Sequence, residues 1–438
     1  MKKFVFPNGF TLIHQKPASD VPITSVYAFV RVGSNYEQES NRGATHFIEH
    51  MCFKGTTKMS TSKKIFENFN KVGATFNAFT EKDHTAFELR CGDSALEICL
   101  KHLSDMILNS AFKKSAVKME TPVTLEEMIR ASDDPEEKIV YMMDKMLYTK
   151  SLYENPVDDI EFHKRNPPFQ YDNIVEFYHQ YYRPENIVLS IASITSFEKL
   201  KKILLSTDFL KSKGEGHIVH PALIPIQSTP NIYYDIQHKV GLKSTYLCIS
   251  FRTCSHENPD RFRLNLLSHI VGGNMGSRMF MILREDNGLT YSSSCSTDYT
   301  LVGGEFTLYT SMDNSKLMHN GNKSGVLPLL FGMLRKLISN GIELNELKIA
   351  KESLKTKLML NMERPTHEAL YNGLYEILYS NEPFVEYGQI YDKQYSKITV
   401  SEINRVIRKY LIAENMCIGI LSNRPPGLAP VRRICETI

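Results

Sequence analysis

The sequence predicts an α+β protein built from two related halves. Three observations point there. Strand-like runs and runs spaced as amphipathic helices both occur along the chain, with some strands consecutive, as in Phe4–Phe6 with Phe10–Ile13 and Phe76–Phe79 with Thr85–Cys91. The second half echoes the first: shifted by 219 positions, Tyr27 meets Tyr246, Arg42 meets Arg261, Phe87 meets Phe306 and Leu89 meets Leu308. Such spacing marks an internal duplication. Between the halves the composition turns polar, with Lys211-Ser212-Lys213-Gly214-Glu215-Gly216-His217 followed by Pro221, Pro225 and Pro230. These features divide the chain into an N-terminal domain at 1–205, a linker at 206–230 and a C-terminal domain at 231–438.

Composition bounds the function. The 438 residues are 42% hydrophobic and 23% charged, which suits globular domains with ample core. A net charge of +3 argues neither for nucleic acid nor for an anionic membrane. The 8 cysteines form no CxxC pair, which disfavours a disulfide framework or a thiolate zinc site and fits a reducing compartment. Lys2 and Lys3 precede apolar residues, but Pro7-Asn8-Gly9 stops the run before a signal sequence could form. No stretch is long and apolar enough to span a membrane, so a cytoplasmic protein is expected.

Taken in order, Phe4–Phe6 and Phe10–Ile13 read as a hairpin about Pro7-Asn8-Gly9. Ile23–Val32 alternates as a strand. A helix follows around residues 44–51, then a second at Lys63–Val72 stopped by Gly73. Phe76–Phe79 and Thr85–Cys91 read as strands, Leu96–Leu108 as a helix. Asp133-Asp134-Pro135 separates one helix from the next, at Glu136–Leu147. Ile187–Ile194 is a buried strand and Phe197–Leu205 a closing helix. In the second half the strand-turn-helix frame returns, with Asn265, Ser268 and His269 where His46, Glu49 and His50 stand. The offset then slips from 219 to 229, so that Ala413-Glu414-Asn415-Met416 echoes Pro184-Glu185-Asn186-Ile187.

The chemistry concentrates in His46-Phe47-Ile48-Glu49-His50. On a helix, residues four apart share a face, so the two imidazoles can meet one metal ion. Glu49 projects close to the same face, where it can hold a water on the metal. This is the HxxEH order, the inverse of HExxH. A catalytic zinc takes three protein ligands and one open position, so a third ligand is expected. Lys118-Met119-Glu120-Thr121-Pro122-Val123-Thr124-Leu125-Glu126-Glu127 offers it. Glu120 and Glu127 lie two helical turns apart on one face, while Glu126 points away. Glu127 is therefore the candidate ligand and Glu120 its partner behind the site. Pro122 either opens that helix, leaving Glu120 outside it, or kinks it. A solvated acidic face is the alternative for this stretch.

These residues together resemble the pitrilysin-like zinc metallopeptidases, which include the mitochondrial processing peptidase and its bacterial relatives. The likeness rests on His46, Glu49 and His50, with Glu120 to Met128 fitting the family's later glutamate helix. It extends through Gly33-Ser34-Asn35-Tyr36-Glu37, Phe53-Lys54-Gly55-Thr56, Asn77-Ala78-Phe79-Thr80 and Tyr182-Arg183-Pro184-Glu185-Asn186. Arg284-Glu285-Asp286-Asn287-Gly288-Leu289-Thr290-Tyr291 resembles the family's "RE…GLxY" segment, and Gly272–Arg278 its glycine-bearing turn, with Asn274 and Gly276 as departures.

The resemblance implies that each half is a mainly antiparallel sheet with helices packed on one face, and that the first carries one Zn2+ per chain on His46, His50 and Glu127. It implies peptide hydrolysis with Glu49 as general base, Asn77, Ala78 and Phe79 as an edge strand receiving the substrate backbone, and Arg284 and Tyr291 contacting substrate near the scissile bond. A two-half chain is expected to pair as a homodimer, or as a heterodimer with a related subunit, around oligopeptides or unfolded precursor segments. The alternatives are a non-catalytic core or assembly subunit of the same fold, and a processing subunit active only with a partner chain. Other histidines, among them His84, His102, His179, His238, His256 and His367, lack partners at metal-ligand spacing. The basic run Arg424–Arg433, broken by prolines, reads as a mobile tail.

Overall fold

The computed structural model describes residues 1–18, 20–166, 169–214, 226, 229, 231–318, 324–379 and 383–437. Two sheets organise it. The first comprises β1 (Lys2–Val5), β2 (Thr11–Gln15), β3 (Ile23–Val30), β4 (Thr75–Thr80), β5 (Thr85–Gly92) and β6 (Ile187–Ala192), in the order β1-β2-β6-β3-β5-β4. The second comprises β7 (Tyr233–His238), β8 (Ser244–Thr253), β9 (Thr290–Tyr299), β10 (Gly304–Asp313) and β11 (Met416–Ser422), in the order β7-β11-β8-β10-β9. Leaving out β1, the two orders are the same. Even the single parallel pair recurs, β2 with β6 and β7 with β11, while the other pairs are antiparallel. The duplication read from Tyr27/Tyr246 and Phe87/Phe306 is thus a duplication of topology.

The chain gathers into two compact units. One holds Met1–Ala131, Asn155–Ala222 and Met359–Gly388, the other Ser132–Glu154, Leu223–Leu358 and Gln389–Ile438. In the first, the central strand β6 is buried along all six residues, as a strand covered on both faces must be. One face receives helices from the first half of the sequence: Phe47, Ile48 and Met51 from helix Ala44–Cys52, Phe69 from Ser62–Asn70 and Leu100 and Leu103 from Leu96–Leu108, over Val26, Ala28 and Leu89. The opposite face receives a helix from the far half of the sequence. Ala369, Leu370 and Leu374 of helix Pro365–Leu378 pack on Tyr27, Phe29 and Val188. The approach is close enough that a Cβ on Gly373 would fall 2.1 Å from the Phe29 ring.

The second unit receives the reciprocal element. Helix Pro135–Leu147 buries Ile139, Met142, Met143 and Leu147 against Cys248, Cys417 and Leu421 of β8 and β11. Its start is set by Asp134, whose carboxylate accepts from the Glu136 amide at 2.8 Å. Its end is held by Arg252, only 4% exposed, whose guanidinium donates to the carbonyls of Leu147 (2.9 Å) and Met146. The two halves of the sequence therefore trade a helix. The large side chains fully buried in this exchange, such as Ile139 and Leu147, each contribute about 1.5–3 kcal/mol.

Two expectations meet the structure here. Within 206–230, residues Asp208–Lys211 form a short helix with Phe209 stacked on Phe10 at 4.8 Å, and 215–225, 227, 228 and 230 lie outside the described residues. The basic C-terminal run is not a mobile tail. Helix Leu428–Cys435 buries Val431 and Cys435, which lie four apart on one face, and Arg432 covers the Tyr234 ring at 5.6 Å. Among the described residues no helix is long and apolar enough to cross a membrane.

Candidate metal centre

The site is built on helix Ala44–Cys52. Gly43 turns the chain into it with φ +80°. A helix start leaves backbone N–H groups without partners, and here a carboxylate supplies them. Glu37 accepts from the Gly43 amide and from the Thr45 amide, both at 2.8 Å, and from the Thr45 hydroxyl. Phe47, Ile48 and Met51 fix the buried face, so His46, Glu49 and His50 are left on the other.

His46 Nε2 and His50 Nε2 stand 3.1 Å apart, and Glu127 Oε2 lies 3.4 Å from His50 Nε2. The three donor atoms all fall within 4.8 Å of one another. Behind them, His50 Nδ1 is 2.9 Å from Glu120 Oε1, and Lys54 Nζ holds the other Glu120 oxygen at 2.6 Å. His46 Nδ1 is 2.7 Å from Asp158 Oδ1. With a carboxylate facing each Nδ1, a proton sits on that atom of each ring, and the two Nε2 atoms turn towards one another, where they can share one cation: a proton in the metal-free protein, or a metal ion. A tetrahedral zinc with bonds of about 2.0–2.1 Å places its ligand atoms roughly 3.3–3.4 Å apart, so the donor set fits zinc.

Protonation follows the same logic. Burial opposes charge on His46, but Asp158, with Glu49 and Glu127, overcomes it and lifts the pKa to about 9 in the metal-free protein. Burial pushes the Glu49 carboxyl up, against the Thr80 hydrogen bond and the two histidines. Burial would also raise Glu120, but His50 and Lys54 outweigh it and hold the carboxyl down.

The Glu120–Glu127 helix runs from Lys114 to Asp133, with Pro122 inside it. It begins two turns before the proline, so Glu120 is within the helix and shares a face with Glu127. The Thr121 hydroxyl bonds back to the Val117 carbonyl at 2.9 Å just before the interruption.

Asn77, Ala78 and Phe79 lie on β4, which pairs with β5 on one side and, among the described residues, with no strand on the other. At its end the Thr80 hydroxyl donates to Glu49 Oε2 at 2.7 Å, which brings an open strand edge to the carboxylate. Arg284 and Tyr291 belong to the second unit. There Arg284 donates to the Tyr291 carbonyl at 3.0 Å and lies over the Phe280 ring, while the Tyr291 side chain is exposed at the start of β9. The second unit's counterpart of the metal helix, Asp260–Gly272, carries no such ligand set. Asn265 is taken up by hydrogen bonds from Thr297 and Tyr299 and to Tyr395, and Ser268 bonds to the Asn265 carbonyl.

Sequence reasoning gave no role to Glu37, Lys54, Thr80 or Asp158, although the first three lie in segments that carry the family resemblance. Lys54 lies just past the end of the helix at Cys52, where helical spacing no longer places a side chain. Thr80 closes the strand already singled out. Nothing near Asp158 in the sequence ties it to His46.

Comparison with known proteins agrees with this geometry. Residues 13–158 match the family described as insulinase (peptidase family M16), and residues 168–354 match that described as the peptidase M16 inactive domain. A Rickettsia felis protein named an uncharacterized zinc protease is 30% identical over 370 residues, covering 83% of this chain and 84% of its own. One of the same description in Bacillus subtilis is 25% identical over 98% of this chain and all of its own. Among solved structures, a protease from Helicobacter pylori superposes with TM-score 0.86 at 18% identity, covering 96% of this chain and 99% of its own. The periplasmic protease PqqL from Escherichia coli superposes with TM-score 0.81 at 14% identity, over 99% of this chain but 49% of its own. The chain belongs to the M16, or insulinase, family of zinc proteases.

Proposed function

We propose that this protein is a zinc-dependent endopeptidase that cleaves extended oligopeptides or unfolded precursor segments. The observation that carries the reading is Glu49: a buried carboxylate about one helical turn after His46 and directly before His50, held by Thr80 where an unpaired strand edge ends. Zinc, when bound by His46, His50 and Glu127, supplies a Lewis acid for the water and the scissile carbonyl. Glu49 takes the proton of the attacking water and delivers it to the leaving amine, and its raised proton affinity suits both steps. Thr80 aims the carboxylate. Asn77, Ala78 and Phe79 take the substrate as an added strand, so main-chain hydrogen bonds fix an extended backbone and exclude folded proteins. Arg284 and Tyr291 donate hydrogen bonds to the carbonyl oxygen as it gains charge, a role assigned on the family resemblance.

We further propose that the chain works as a pair, either with a second copy or with a related subunit. Support comes from the match to PqqL, whose single chain is about twice the length this one covers.

The test is cleavage of a quenched fluorescent peptide library by the purified chain, with zinc content measured beside Glu49→Gln. The expected result is zinc in both proteins and cleavage by the wild type alone, with the variant slower by about 10²–10⁴-fold. A wild type that binds zinc and stays inert until a related subunit is added would make it a partner-dependent processing subunit. A wild type without zinc would overturn the peptidase reading and favour a scaffold.

A further inference from the structure

An imidazole on a helix can offer a metal either ring nitrogen, and the hydrogen bond made by the other nitrogen decides which. For His50 that partner is Glu120. We propose that Asp158 does the same for His46: it is a positioning residue whose carboxylate fixes the tautomer and orientation that aim Nε2 at the metal. The inference rests on the zinc reading above and adds a residue to it from a part of the chain far from either ligand segment.

Three features carry it. The contact is a short ion pair, 2.7 Å from His46 Nδ1 to Asp158 Oδ1, and both atoms are shut off from water with no other hydrogen-bond partner among the described residues. A carboxylate at that distance keeps a proton on Nδ1, so that Nε2, which faces His50 Nε2 3.1 Å away, is the nitrogen left to bind the metal. The acid is also held in place by its surroundings. Its neighbour Asp159 starts helix Ile160–His163, accepting from the Phe162 amide at 3.1 Å, and lies 3.6 Å from Arg42 Nη1. Arg42 in turn lies over the Phe162 ring at 5.1 Å. Arg42 directly precedes Gly43, where the His46 helix begins. The turn carrying Asp158 is therefore strapped to the start of the helix it serves. Finally, the structural duty in this turn falls to Asp159, which caps the short helix, so capping does not account for Asp158.

The experiment compares wild type, Asp158→Ala, Asp158→Asn and Glu120→Ala. It measures zinc affinity by competition with a chromophoric chelator, the visible spectrum of the Co2+-substituted proteins, and melting of the metal-free proteins. Asp158→Ala is expected to bind zinc about 10–100-fold more weakly than wild type, comparably to Glu120→Ala, with altered cobalt bands and unchanged metal-free melting. Asp158→Asn keeps an acceptor oxygen without the charge and should fall between. The inference is overturned if wild type binds zinc and Asp158→Ala matches it within about twofold. It is also overturned if affinity and metal-free melting fall together in both Asp158 variants, which would make the residue a structural support of its turn. A wild type that binds no zinc removes this inference along with the reading it rests on, and is recognised by the wild-type measurement alone.

Discussion

Two side chains decide how the candidate site behaves before any substrate arrives. His46 is charged at neutral pH in the metal-free protein, since burial is outweighed by Asp158 and its pKa lies near 9. A proton then occupies the space a metal would take. Zinc must expel it, so binding should release about one proton at pH 7.5, and affinity should strengthen with rising pH until about 9, then level off. Calorimetry in buffers of differing ionisation enthalpy measures the release. Thr80 is the second. Thr80→Val removes the hydroxyl that aims Glu49 and keeps the shape of the side chain. Losing a hydrogen bond to a charged group costs about 1.5–3 kcal/mol, so kcat should fall by about tenfold or more while zinc content is unchanged. The two histidines and Glu49 were readable from sequence because one helical turn carries them all. Asp158 was not, because its relation to His46 exists only once the chain has folded back.

Among the elements, helix Lys114–Asp133 is the most consequential. It carries both Glu120 and Glu127 and runs through Pro122, which removes one backbone hydrogen bond and crowds the preceding turn. A proline in a helix interior costs up to about 3 kcal/mol relative to alanine. Pro122→Ala should therefore raise the melting temperature. It should also weaken zinc binding, because the turn between Glu120 and Glu127 changes its geometry. Measuring both on one sample separates the effects, and a variant that is more stable with unaltered zinc affinity would sink the idea that the proline sets the ligand spacing. Of the two options the sequence left for this proline, the structure takes the second, with Pro122 in the helix interior and Glu120 inside the helix as well. The strands were more legible. Ile187–Ala192 declared itself by an apolar run broken only at Ser190, and the hairpin at Asn8-Gly9 by its turn residues. The edge position of β4 was readable only through resemblance, since the residues of a strand do not say how many neighbours it has.

At the scale of the whole molecule, periodicity revealed the duplication but not the traded helices. Pro135–Leu147 and Pro365–Leu378 each have an apolar face, and nothing in an apolar face names the sheet it will cover. Contiguous pieces of chain are thus not the stable pieces. Residues 1–205 expressed alone should aggregate or stay only partly folded, because Tyr27, Phe29 and Val188 would lose the helix that covers them. Supplying 231–438 in trans should restore solubility, as judged by gel filtration and circular dichroism. Within the intact protein, Met143→Ala should cost about 2–5 kcal/mol, read as a fall in the denaturant midpoint, since Met143 packs against Gly419 in the second unit.

The exchange also sets a timetable for synthesis. The first sheet has all its strands once residue 192 is made, yet the helix that covers its second face ends at Leu378. At about 5–20 residues per second, a ribosome needs about 10–40 s to bridge that gap. Throughout that interval a nascent chain displays an apolar sheet face to the cell. Shielding by a chaperone during translation, rather than any property of the finished molecule, would then govern how much of it accumulates.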